Sequence, residues 1–204
     1  MTQKPEDIED LRVRRTRQLI QQAFLDLTVE KGFATLTVRD ITKRAMINRS
    51  TFYRHYQDKY DLLEYYMNEL YELIGNPAER EIAATRSGQP PRTISVGLLN
   101  LLTHIHQFGD FYRVMLGPQG DPRFAQRFRE NTEKRFWTMF TQAAAEPDPN
   151  APPIDLRIKC IAYSGVGAIV WWLEQEQPCS PEQLAVWLGQ LSTAIAGREH
   201  KPGR

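Results

Sequence analysis

A chain of 204 residues with a formal net charge of +1 is sized for one large domain or two small ones. Hydrophobic residues make up 41%, enough to close a packed core, which excludes wholesale disorder. Two cysteines, Cys160 and Cys179, are too few for a disulfide framework or a zinc site, so reduced thiols and a cytoplasmic location are expected.

Helical periodicity dominates and strand signals are weak, so the expected fold is all-α. The N-terminal stretch MTQKPEDIEDLRVRRTRQLI has no apolar run that would make a secretory signal. Leu19, Ile20, Ala23, Phe24 and Leu27 mark one face of a first helix, which ends at Lys31-Gly32. Thr37 is placed to cap a second helix, with Asp40 three residues on in capping-box position. That helix runs to about Ala45, Met46-Ile47-Asn48 form a turn, and Arg49 to Tyr56 make a short third helix. Asp58 caps a fourth, carrying Leu62, Leu63, Tyr66, Leu70 and Ile74.

Gly75 to Arg92 is rich in Gly, Pro and small residues and reads as a junction. A helix from about Thr93 follows, then a short one holding Phe111, Tyr112 and Met115 with Asp110 as its cap. Asp121-Pro122 opens a long helix toward Ala145 with a cap and a first-turn proline. After a loop over Pro147 to Pro153, two helices close the chain, roughly Asp155 to Glu176 and Ser180 to Ala196. The tail from Arg198 is expected to fray. The best apolar run, Val166 to Leu173, is stopped by Glu174 and is too short to span a bilayer, so no membrane is expected.

Charge is unevenly spread. Leu11 to Lys59 holds eleven Lys or Arg against four acids, a local excess of +7, and the remainder is −6. A basic segment on a near-neutral chain points to a polyanion-binding surface. Its centre is INRSTFYRHYQDKYDLL, Ile47 to Leu63. Two short helices joined by a three-residue turn, the second crowded with small polar residues, fit a helix-turn-helix. Ser50 and Thr51 keep the recognition helix narrow where it enters a major groove. Tyr53, His55 and Lys59 can donate to phosphate oxygens, and Arg49 can reach a guanine edge bidentately. Phe52 and Tyr56, four apart, share one face and should pack inward, with Ile41 and Ala45 from the second helix.

The stretch TLTVRDITKRAMINRSTFYRHYQDKYDLL, Thr35 to Leu63, resembles the DNA-binding domain of the TetR family of bacterial transcriptional regulators. The resemblance implies an N-terminal helix-turn-helix domain over residues 1–57 and a C-terminal helical domain over 58–204 for dimerisation and effector sensing. It implies that Thr37 and Arg39 contact the DNA backbone or a base edge. Arg49, Ser50 and Thr51 would face the groove, Tyr53 and His55 would hold phosphates, and Lys59 another. One residue departs from the pattern: the family usually has glycine in the turn, and here Met46 stands there. Methionine disfavours positive φ, so this turn either avoids that region or carries strain. Downstream, FYRVMLGPQGDPRFAQRF and the late Trp-Trp-Leu-Glu resemble a branch of the family whose effectors are mostly unidentified, and a few of whose members act as co-activators with a protein partner.

Arginines 12, 14, 15 and 17 could form an arm reaching a minor groove or a solvated helix start. His104 and His106, two apart on a helix, point to nearly opposite sides and make a poor metal pair. Gly117 and Gly120 lack the Gly-Lys-Ser/Thr of a phosphate loop. Cys160, in an apolar helix, reads as a buried structural thiol. That helix is apolar nearly all round and needs cover on two sides. Ile161, Gly165, Ile169 and Trp172, with Leu184, Leu188 and Leu191 of the last helix, are the expected dimer interface, in the intersubunit four-helix bundle by which TetR-like proteins dimerise. The same domain could enclose an effector pocket drawn from His104 or His106, Tyr112, Met115, Phe136, Trp137, Met139, Phe140 and Tyr163, with His104, Tyr112, Met115, Trp137 and Tyr163 as the core set.

Two functional classes follow. One is a dimeric repressor bound to a double-stranded DNA operator and relieved by a small molecule in the C-terminal domain. The other keeps the fold but takes its signal from a protein partner. No nucleophile–base pair or paired carboxylates emerge, so no enzyme, cofactor or metal is expected.

Overall fold

The structure is a computed structural model that describes residues 5–74, 96–142 and 152–195. The junction expected over 75–92, most of the loop over 147–153, the C-terminal tail and the side chains of Met139 and Phe140 lie outside the described residues. Among these residues the chain forms nine helices: α1 Pro5–Lys31, α2 Val38–Arg44, α3 Arg49–Tyr53, α4 Lys59–Ile74, α5 Val96–Gln107, α6 Gly109–Leu116, α7 Pro122–Gln142, α8 Ile154–Glu174 and α9 Pro181–Ile195.

Local chemistry sets most of the helix ends. α1 stops where Gly32 takes φ +80 and its N–H reaches Thr28 O at 2.9 Å. Thr37 and Asp40 form a reciprocal capping box on α2, with Asp40 N donating to Thr37 Oγ1 at 3.2 Å and Thr37 N to Asp40 Oδ2 at 3.0 Å. Asp58 Oδ1 accepts from Tyr60 N and Asp61 N at the head of α4, and Asp121 Oδ1 accepts from Arg123 N at the head of α7. Ser180 Oγ does the same for α9 through Gln183 N. Asp110 is no cap. It lies inside the first turn of α6, paired with Arg113, and Phe108 precedes the helix. α8 ends in two successive left-handed residues, Glu176 at φ 55 and Gln177 at φ 57, whose N–H groups return to Leu173 O and Trp172 O.

One apolar core runs through the N-terminal head and the C-terminal body. In the head, Ile20, Phe24 and Leu27 of α1 meet Ile41, Ala45, Phe52 and Tyr56. Leu19 is 43% exposed and leaves the face assigned to it, because the buried stripe of α1 follows Ile20, Ala23, Phe24 and Leu27. Phe24 is the hinge of the packing, with ring centroids 6.1 Å from Phe33, 6.3 Å from Tyr66 and 5.7 Å from Phe111. α1 is helical from Pro5, so arginines 12 to 17 lie on a helix and not on an extended arm.

In the body, α8 packs against α6, α7 and α9, and α5 packs against α4 and α9. Ile158, Ile161, Ala162, Val166, Ile169, Trp172 and Leu173 are the inner face of α8. By length and composition alone α8 could cross a membrane, against the expectation drawn from its shorter apolar run. Here its inner face is filled by neighbouring helices, as in a core helix. Arg113 donates twice to Leu173 O, at 3.2 and 3.1 Å, tying α6 to the last turn of α8.

Candidate nucleic-acid interface

The recognition segment hangs on few side chains. α3 is five residues long, shorter than the expected Arg49 to Tyr56, and Phe52 is its one buried residue. Phe52 packs on Tyr56 at 5.6 Å between centroids, and Tyr56 packs on Tyr65 of α4 at 5.5 Å. Arg17 of α1 donates to Tyr65 Oη at 2.9 Å with its guanidinium over the same ring. The Tyr56 hydroxyl is buried without a hydrogen-bond partner, and burial drives its pKa far above the ordinary tyrosine value.

With Phe52 turned inward, the other side of α3 faces solvent. Arg49, Ser50, Tyr53 and Arg54 are exposed and Thr51 is half-buried. Arg49 Nη2 donates to Tyr53 Oη at 3.3 Å, so the two form one exposed unit. Arg54 Nη2 donates to Thr51 Oγ1 at 3.3 Å. His55 is half-buried, and burial, then Arg17 and Arg54, hold its pKa below the usual histidine value.

On α2, Arg39 and Lys43 are exposed, while the Thr37 side chain is engaged in the cap. The basic cluster therefore splits. Arg44 pairs with Glu30 at 2.6 Å, Lys31 pairs with Asp40 at 3.0 Å, and Arg17 is held on Tyr65. Arg39, Lys43, Arg49 and Arg54 extend from the helix-turn-helix into solvent. Lys43 and Arg54 were missing from the sequence-derived set, although their charge and the spacing of Arg54 from Thr51 were visible there.

Lys59 sits differently from a free phosphate grip. Its Nζ donates to Phe33 O at 2.8 Å and Ala34 O at 3.0 Å, which commits two of its protons to the loop after α1. Burial lowers its pKa, against the pull of Asp121 and Asp58. Met46 occupies the turn at φ 53 and is 89% exposed, so the strained alternative holds.

The pocket candidates converge only in part: the Tyr112 ring stands edge-on to His104 at 5.9 Å between centroids. Trp137 and Tyr163 are exposed, while Tyr112 and Met115 are core residues. His104 alone of the core set lines a groove of about 420 Å³, with Gln21, Tyr66, Glu69, Leu70 and Glu72. Its Nε2 lies 2.9 Å from Tyr66 Oη, and burial lowers its pKa. His106 stacks on Trp172 on the other side of α5.

The interface candidates divide as well. Ile161, Ile169, Trp172, Leu184 and Leu188 are buried within the single chain. Gly165 and Gly167 have open space where a Cβ would stand, and Leu191 is exposed. Both faces of α8 are apolar, and the chain's own core took the one assigned to the partner. The outward face carries Leu156, Tyr163, Trp171 and, from α9, Trp187 and Leu191. Cys160 is on that exposed side and is not a buried thiol.

A helix-turn-helix head with a solvent-facing cationic recognition helix, on an all-helical body, defines a DNA-binding transcriptional regulator. Residues 20–66 match the bacterial regulatory proteins of the tetR family, and residues 92–194 match a transcriptional regulator C-terminal region. The chain belongs to the TetR family. A TetR transcriptional regulator from Streptococcus agalactiae 2603V shares its fold at TM-score 0.64 and 24% identity, over 92% of this chain and 98% of that one. FadR of Thermus thermophilus, a TetR-family repressor solved with lauroyl-CoA, aligns at TM-score 0.54 and 17% identity over 92% and 98%. An uncharacterized HTH-type regulator of Bacillus subtilis (strain 168), YxbF, is 50% identical over 56 residues, which is 27% of this chain and 15% of that protein's length.

Proposed function

We propose that this TetR-family regulator is a cytoplasmic homodimer that represses transcription from a two-fold operator and is released by a small molecule bound in its helical body. The observation that carries the reading is the solvent face of α3, where Arg49, Ser50, Tyr53 and Arg54 stand together over one buried anchor, Phe52. Arg49 reads a guanine edge, with Tyr53 steering its guanidinium. Arg39, Lys43, Arg54 and His55 hold phosphates, and Thr37 and Thr51 keep the helix ends close to the backbone. Lys59 keeps one proton for a phosphate, so its part in binding is small.

Dimerisation uses the outward face of α8 and α9: Tyr163, Gly167, Trp171, Trp187 and Leu191. An exposed apolar set of this kind is unusual on a monomer and suits a partner helix pair. The groove beside His104 and Tyr66 touches both α1 and α4, so an occupant there would act on the head directly. The lauroyl-CoA bound to the distant FadR supports a small molecule as the class of signal.

Selection of bound sequences from genomic fragments, followed by titration of Arg49→Ala, tests the reading. Arg49→Ala should cost about 1–3 kcal/mol on the selected operator and little on random duplex. Equal losses on the two duplexes would remove the base-reading role.

A further inference from the structure

The segment GPQGDPRF, residues 117–124, is absorbed neither by DNA contact nor by the groove at His104. Its turn is sterically forced: a Cβ on Gly120 would lie 2.1 Å from Met115 O. The turn lays Gln119 against Gly32 at the end of α1, where a Cβ would meet Gln119 Cβ at 3.3 Å. Asp121, 7% exposed, accepts from Arg123 three times: from N at 2.8 Å, Nε at 3.2 Å and Nη2 at 3.0 Å. Burial disfavours its charge, but Arg123 and Lys59 outweigh that and keep its pKa low.

Held in this way, the Arg123 guanidinium lies over the Tyr60 ring, 4.3 Å from its centroid. One turn along α7, Arg127 Nη2 pairs with Glu64 Oε1 at 2.8 Å. Two residues four apart on α7 thus meet two residues four apart on α4. On the opposite flank, Lys59 is bonded to the loop after α1, and Phe33 stands edge-on to Tyr60 at 5.4 Å. The first two turns of α4, which follow the recognition helix directly, are clamped between the end of α1 and the face of α7. Exposed contacts of this kind are individually weak. Two rungs four residues apart nonetheless resist rotation and sliding of α4 together.

We propose that Arg123 and Arg127, the first aimed by Asp121, are positioning residues that fix the angle between the reading head and the body, and with it the half-site separation that the dimer accepts. The clamp itself is independent of DNA. Its consequence for half-site separation rests on the dimeric operator reading above.

The test uses the full chain carrying Arg123→Ala with Arg127→Ala. Arg123 is exposed and Arg127 is half-buried at the surface, and neither belongs to the apolar core, so circular dichroism should show retained helix. Spin labels at Lys43→Cys and Glu174→Cys, with Cys160→Ser and Cys179→Ser, report the head-to-body distance in protein diluted with unlabelled chain. The double variant should broaden a narrow distribution, and Glu64→Arg combined with Arg127→Glu should keep it narrow. On DNA, adding one base pair at the dyad moves a half-site by roughly 3.4 Å and about a tenth of a turn. The parent protein should reject that operator by about tenfold or more, and the double variant by about threefold or less. A distribution that stays narrow in the double variant overturns the clamp. A broadened distribution with undiminished rejection of the lengthened operator overturns its role in spacing. If selection yields no two-fold operator, the dimeric operator reading fails, and the label distances still judge the clamp.

Discussion

Met46 is the residue at which sequence and backbone are in open conflict. It holds φ 53 with its side chain in solvent, so no packing repays the left-handed conformation. Met46→Gly should raise the melting temperature by about 1–3 °C, since relief of strain exceeds the added unfolded-state entropy of glycine. A lower melting temperature would mean that the turn is unstrained. Lys59 teaches the opposite lesson. Its charge was visible in the sequence, but its two acceptors, Phe33 O and Ala34 O, are supplied by a loop some 25 residues earlier. No local pattern encodes that contact, and a phosphate was the natural partner to assign. Lys59→Met should lower stability by about 1–3 kcal/mol in urea titration, by taking the Lys59 donor from Ala34 O and leaving Phe33 O with the Leu36 N–H alone. Unchanged stability would return Lys59 wholly to the DNA.

At the scale of elements, helix ends were legible and helix faces only partly so. The Thr37–Asp40 box, the Asp58 cap, the Asp121-Pro122 start and the Gly32 stop each depend on residues within four positions of one another. The capping box also predicts a pH response. Thr37, then Lys31, hold the Asp40 carboxyl at about 2, below its ordinary 3.8. A depressed carboxyl contributes stability that is complete above its unfolded value and fades as pH falls through the folded one. The melting-temperature advantage of the parent over Asp40→Asn should therefore be constant above about pH 5 and vanish between about pH 4 and about pH 2. A gap that persists at pH 2 would mean the carboxylate charge is not what matters. The faces of α8 escaped the sequence for a different reason. Ile161 and Trp172 on one side and Tyr163 and Trp171 on the other are all large and mainly apolar, so hydropathy could not tell the buried face from the exposed one. The candidates for an effector pocket differ in burial for a similar reason, because buried aromatics such as Tyr112 and exposed ones such as Trp137 recur at the same spacing.

For the molecule as a whole, the exposed face of α8 and α9 makes association testable without harm to the fold. Gly167 is exposed, with nothing within 4 Å of a built Cβ, so Gly167→Arg is tolerated by the single chain. Against a partner helix it would bury an unpaired charge, which typically costs several kcal/mol. Sedimentation equilibrium should give monomer, with helical circular dichroism retained, operator binding lost and weak non-specific binding kept. A dimer that survives Gly167→Arg and also Leu191→Arg would move the interface to another face.

The length of α1 has one further effect. Its 27 residues span roughly 40 Å without a break, and the same helix carries Arg17 toward the recognition segment and Phe24 into the body. The head is therefore not a detachable cassette. A chimera that grafts residues 1–57 onto another regulator's body would lose the ring of Phe111 against Phe24, the turn against Gly32 and the Lys59 bonds to Phe33 O and Ala34 O at once. Transplanting operator specificity between such proteins is better attempted by exchanging the solvent face of α3 alone, leaving Phe52 and every residue behind it in place.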